Sequence, residues 1–212
     1  VFSNMGNIAR VRGDLDEAMR LYGKALELNR RVGRLQGQAI NLSSMGVLAQ
    51  IRGDLDEAMR LQGEALELHR RLGSLEGQVS NLGSMGVLAQ VRGDLDEAMR
   101  LHSKALKLGR RLGSLEKEAS QLSNMGSIAQ KRGDLDEAMR LYGESRDLQK
   151  HVGSRQGEAN QLSKMGLTEA SRGNIAKAHE LWKLSLELFI TVGARPQVKR
   201  VQRLLNTIPC ED

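Results

Sequence analysis

One decapeptide, Arg-Gly-Asp-Leu-Asp-Glu-Ala-Met-Arg-Leu, begins at Arg12 and returns at Arg52, Arg92 and Arg132, with a weaker Arg-Gly-Asn-Ile at Arg172. Each step is 40 residues, and residues 41–80 and 81–120 differ at only ten of 40 positions. A unit this short cannot bury an apolar face alone, so neighbouring copies must stack to make a continuous core. The chain therefore reads as an array rather than as one or two ordinary domains.

Within a unit the apolar residues keep helical spacing. Leu42, Met45, Leu48 and Ala49 recur at three and four, and after Gly53-Asp54 a second run reads Leu55, Ala58, Met59, Leu61, Leu66 and Leu68. Each unit is thus a pair of helices, A and B. Gly53 permits the backbone that closes helix A, and Asp54 suits the N-cap of helix B. Glu57, three residues on, completes a predicted capping box. A second break falls at Gly73, behind Arg70 and Arg71, whose charges suit a helix C-terminus; Gly33, Gly113, Gly153 and Gly193 repeat it. Two prolines and few β-branched runs leave no place for strands.

Gly46, Ala49, Gly53, Asp54, Ala58 and Ala65, with Tyr22, Tyr142 or Trp182 at the bulky position of helix B, resemble the tetratricopeptide repeat. The 40-residue period and the segment Leu72–Gln78 resemble the variety found in LGN-type spindle-orientation adaptors, kinesin light chains and bacterial multidomain proteins. Gln62 and His102 depart from the aromatic, while Arg146 and Glu169 interrupt apolar columns. The resemblance implies an all-α, right-handed superhelical solenoid of antiparallel helix pairs. Residues 1–193 then hold five repeats, the first truncated at its N-terminus, and 194–212 a capping helix and short tail. The one-sided stripe Val198, Val201, Leu205 and Ile208 behind Pro196 supports that cap.

Chemistry-bearing patterns are scarce. A single cysteine, Cys210, and four histidines without i, i+4 pairing give no disulfide framework or metal motif. The glycines never form a phosphate-binding signature. Met5, Met45, Met85, Met125 and Met165 lie at core spacing, and Asp56-Glu57 are first-turn carboxylates, so no catalytic residues, metal or cofactor are expected and the chain is read as no enzyme. The Arg-Gly-Asp tripeptide is read as a helix stop and cap, not as an integrin ligand. No apolar stretch is long enough for a membrane span, and a cytoplasmic chain without membrane contact is expected. The charge of +6 comes from 32 Lys+Arg against 26 Asp+Glu, interspersed. Arg30-Arg31, Arg70-Arg71 and Arg110-Arg111 make a recurring basic ridge, but aromatic platforms for bases are nearly missing, which disfavours nucleic acid.

The remaining surface is the wall of helix A, which the resemblance makes the concave side. Its outward positions are Asn4, Asn7 and Arg10; Ser43, Val47 and Gln50; Gly83, Val87 and Gln90; Ser123, Asn124, Ser127, Gln130 and Lys131; and Ser163, Lys164 and Leu167. Amides can satisfy the backbone of an extended segment while short residues let it approach. The expected partner is a protein segment, peptide or helix, neutral to acidic. The alternatives are a sensor portion of a larger bacterial-type multidomain protein and an array that self-associates end to end through the uncovered Val1, Phe2 and Met5.

Overall fold

The computed structural model describes residues 1–207, which form eleven helices and no strand. They are α1 (Phe2–Val11), α2 (Leu15–Arg31), α3 (Leu35–Ile51), α4 (Leu55–Arg71), α5 (Leu75–Arg92), α6 (Leu95–Leu112), α7 (Leu115–Lys131), α8 (Leu135–His151), α9 (Arg155–Ser171), α10 (Ile175–Thr191) and α11 (Arg195–Thr207). Odd-numbered helices up to α9 are the A helices and even-numbered ones the B helices. Ile208 and Cys210 lie outside the described residues.

The turns follow the sequence closely. Gly53 ends α3 at φ 82° and Gly73 ends α4 at φ 64°, a region where a Cβ is strained. Asp14, Asp54, Asp94 and Asp134 each accept a hydrogen bond from the backbone N–H three residues on, at 3.0–3.1 Å. The reciprocal half of the capping box does not form. Glu57 turns forward instead, accepting from Arg60 Nε and Nη2 at 2.7 and 2.6 Å, because a guanidinium one turn away offers a bidentate, charged donor. Ser74, Ser114 and Ser154 cap α5, α7 and α9 in the same way as the aspartates.

The chain divides into two compact units, Val1–Leu108 and Gly109–Asp212. In the first, Ala18, Leu21, Tyr22 and Leu48 close one core cluster, and Leu42, Ala58, Leu61, Ala65 and Leu88 close the next. In the second, Trp182 and Phe189 of α10 are fully buried with Ala159 of α9 and Val201 of α11, with Val198, Leu204 and Leu205 packed around them. Glycines set the approach of A to B. A Cβ on Gly6 or Gly126 would stand 2.7 Å from the ring of Tyr22 or Tyr142, and one on Gly86 2.6 Å from His102. His102 and Gln62 are fully buried in the place of the aromatic, and of the expected Met stripe Met45, Met85, Met125 and Met165 are half-buried while Met5 is exposed.

Candidate functional site: the helix A walls

Each unit presents its A helices side by side, held by polar side chains that reach from one copy to the next. In the first unit Ser3 of α1 donates to Asn41 Oδ1 of α3 at 2.9 Å, and Asn81 Nδ2 of α5 donates to Ser43 Oγ at 2.8 Å and to Gln62 Oε1 at 2.6 Å. Gln62 Nε2 in turn donates to the Ser43 carbonyl at 3.1 Å. Tyr22 crosses from α2 to donate to Asn7 Oδ1 at 2.6 Å. Asn4, Asn7 and Arg10 are exposed, Val47 is 37% exposed, and Ser43, Gln50, Val87 and Gln90 are half-buried. Gly83 is buried.

In the second unit Tyr142 of α8 donates to Gln130 Oε1 at 3.0 Å, and its hydroxyl lies 3.1 Å from Ser127 Oγ. Lys164 of α9 donates to Ser123 Oγ at 2.7 Å and to Ser127 Oγ at 3.4 Å. Asn124, Ser127, Gln130 and Lys164 are half-buried and Lys131 is exposed. Ser123 and Ser163 are buried, and Leu167 packs into the Trp182 cluster. Ser123 and Ser163 therefore leave the expected ligand-facing set, and Leu167 stays half-buried at its edge.

Two sets of residues escaped the sequence reading. Asn41 and Asn81 are buried at the joints between the A helices of the first unit, and Gln121 and Gln161, at the same repeat position in the second, are buried too. Their period of 40 was visible in the sequence; their burial was not, since amides at helical spacing usually read as surface. The second set is the Arg of the Arg-Gly-Asp string. Arg52 pairs with Asp16, Arg92 with Asp56 and Arg172 with Asp136, so each arginine latches the first turn of the preceding B helix. In the last repeat Glu169 is fully buried, accepts from Asn174 Nδ2 at 2.7 Å and pairs with Arg172 and Lys177 at 3.3 and 3.2 Å. Those donors hold its carboxyl below the usual range against the opposing effect of burial.

The basic ridge is less available than its sequence suggests. Arg30 lies 3.9 Å from Glu64, Arg70 3.5 Å from Glu67 and Arg110 3.4 Å from Glu118. Among the described residues no group of three or more His, Cys, Asp or Glu is placed to hold a metal ion, and no helix is long and apolar enough to cross a membrane. The histidines are structural or peripheral: His69 and His102 are buried, His151 is exposed, and His179 tilts against Trp182 with ring centroids 5.8 Å apart.

Paired helices joined by glycine stops, with a polar wall of A helices and a sealed A–B core, define a helical-repeat protein. The family profile of the tetratricopeptide repeat matches residues 1–71 and 77–151, and the chain belongs to that family. No curated protein matches it significantly in sequence. Solved structures share the fold at low identity. Apo RapI superposes at a TM-score of 0.89 and 12% identity, covering 99% of this chain and 77% of that one. A Signal Transduction ATPase with Numerous Domains from Pyrococcus horikoshii, with a tetratricopeptide repeat sensor, gives 0.82 at 17%, covering 94% and 31%. A Rap protein complexed with Competence and Sporulation Factor gives 0.76 at 15%, covering 89% and 53%.

Proposed function

We propose that this chain is a protein-interaction module and that the A-helix wall of each unit holds an extended segment of a partner protein. One observation carries the reading: Gln50, Gln90, Asn124 and Gln130 stay half-exposed on the walls while the residues behind them are braced by the polar network. Such amides offer donors and acceptors at fixed positions, and Val47 and Val87 between them offer apolar contact. Arg10, Lys131 and Lys164 orient the segment by attracting its carboxylates. The ridge arginines support the choice from the other side, since their charge is partly spent on Glu64, Glu67 and Glu118.

A peptide selected against the full chain tests this. Replacing Gln50 and Gln90 by Ala removes neutral hydrogen bonds of about 0.5–1.5 kcal/mol each and is expected to weaken binding roughly five- to hundredfold, with little dependence on salt. Replacing Arg30, Arg70 and Arg110 by Ala is expected to do little. Affinity that ignores the wall and collapses with the ridge would overturn the assignment.

The likeness to a tetratricopeptide sensor in a multidomain ATPase supports a second reading, in which the wall takes a segment of its own protein. Exposed Met5, Ile8 and Val11 on α1 support end-to-end self-association, which sedimentation over a range of concentrations would reveal.

A further inference from the structure

A cavity of about 500 Å³ opens in the second unit between the last turn of α6, the first half of α7 and the second half of α8. Its floor is three leucines, Leu115, Leu122 and Leu148, and its rim carries Glu118, Glu144 and Asp147 against one lining cation, Arg110. None of these residues belongs to the A-helix walls. One repeat earlier the same positions hold Leu75, Leu82 and Leu108 in the floor and Gln78, Lys104 and Lys107 in the rim. The leucines are packing that the copies share, while the charge over them reverses, so the fold itself does not call for the acids.

The rim acids are only partly paired. The Glu118 side chain is 13% exposed, and Arg110 Nε stands 3.4 Å from its Oε2. In the two preceding copies the residue there is Gln38 or Gln78, whose amide donates to the carbonyl of Asn29 or His69, at 3.2 and 3.5 Å. A carboxylate has no N–H to give, and Glu118 packs under Gly109 at the carbonyl end of α6, where the helix dipole disfavours negative charge. Arg146 Nε and Nη2 both reach Oδ1 of Asp147, at 3.3 and 3.0 Å. Arg140 gives Nη1 to Glu144 Oε1 while its other nitrogens serve Glu137. Each rim acid thus gives one oxygen to an arginine of its own unit and keeps the second for a donor from outside. An apolar floor under such oxygens suits an apolar body with a cation beside it.

We propose that this cavity is a docking site for a segment of a partner protein that seats an aliphatic side chain on Leu115, Leu122 and Leu148 and brings a neighbouring Arg or Lys to Glu118, Glu144 and Asp147. Charge complementarity selects the occupant, since three carboxylates against one guanidinium leave the lining negative. The neutral to acidic segment assigned to the walls is disfavoured here, so the two sites take different segments. The site goes beyond the wall reading and does not depend on it.

The test uses the full chain with methyl-labelled leucine, the Leu115 and Leu148 resonances being assigned by their loss in Leu115→Met and Leu148→Met. Acetyl-Arg-Leu-Ala-Leu-Arg-amide is expected to shift both saturably, less so as salt is raised, and acetyl-Glu-Leu-Ala-Leu-Glu-amide to leave them unmoved. Acetyl-Arg-Ala-Ala-Ala-Arg-amide, without the aliphatic anchors, is expected to bind roughly tenfold more weakly than the basic leucine peptide. Glu144→Lys/Asp147→Lys installs the residues found one repeat earlier. It is expected to reverse the preference, weakening the basic leucine peptide by roughly tenfold and admitting the acidic one. Glu144→Gln/Asp147→Asn, which keeps side-chain size, is expected to abolish the preference without reversing it. A segment selected on the A-helix walls is expected to bind both variants as it binds the parent chain. Leucine methyls indifferent to the charge of the peptide, an alanine peptide that binds as well as the leucine one, or a preference untouched in the Gln/Asn variant would overturn the site.

Discussion

At the residue scale, the repeats carry a set of natural compensations. Where helix B places a large residue over the start of the next A helix, that helix has glycine: Asn29 over Gly37, His69 over Gly77 and Gln149 over Gly157. The third copy inverts the pair as Gly109 and Lys117. A Cβ on Gly77 would overlap the His69 ring, so Gly77→Lys alone is expected to destabilise the chain by about 1–3 kcal/mol. His69→Gly/Gly77→Lys reproduces the third copy and is expected to recover most of that loss, a coupling readable in a denaturant double-mutant cycle. His69 also titrates usefully. It is buried with Nδ1 lacking a hydrogen-bond partner, and desolvation lowers its folded pKa from the ordinary 6.5. A neutral folded histidine contributes fully above the unfolded pKa; as pH falls below 6.5 the unfolded state binds the proton first and stability drops. His69→Asn is expected to remove that part of the pH slope, and an unchanged slope would locate it elsewhere. The Arg-Gly-Asp string divides likewise. Asp54→Ala is expected to cost about 0.5–2 kcal/mol through the lost cap, and Asp54→Asn much less. Arg52→Ala costs less than about 1 kcal/mol, because its partner Asp16 is 97% exposed on its side chain.

At the scale of the helices, periodicity and stop residues made the architecture legible. Glycine at a fixed phase, a capping aspartate after it and apolar residues at three and four leave a helix pair little freedom, and the bounds of α3 and α4 fall where Gly53 and Gly73 put them. The wall was legible only in part. Spacing identifies which face a residue shares, but not how far a neighbouring helix leans over it. For that reason Ser123 and Ser163 were expected on the wall and lie buried, while Asn41 and Asn81, which the spacing did not single out, form the joints. Lys164 belonged to the expected set, yet its placement among hydroxyls depends on α7 and α8 together, which no local pattern encodes. The last helix is proposed to cap the array. Val201 of α11 is fully buried against the Trp182–Phe189 cluster, so Val201→Asp is expected to cost more than about 3 kcal/mol in chemical denaturation, whereas exposed Asn206→Ala should be silent. Equal midpoints for the two variants would deny α11 a stabilising role.

At the scale of the whole molecule, the repeats divide labour between a core that repeats and a wall that varies. The start of helix B is identical in four copies, Asp-Leu-Asp-Glu-Ala-Met-Arg-Leu, its first Asp supplying the cap and its second the latch partner. The wall changes from Val47 and Val87 in the first unit to Ser127, Lys131 and Lys164 in the second. The direct measurement is site-specific photocrosslinking of a selected peptide, with the photoreactive residue placed in turn at Gln50, Gln90 and Asn124 on the walls and at Arg30, Arg71 and Arg111 near the B-helix ends. Crosslinks from the three wall positions, suppressed by excess unlabelled peptide, with none from the arginine positions, are the outcome expected of a wall-binding module. Crosslinks confined to Arg30, Arg71 and Arg111 would contradict it.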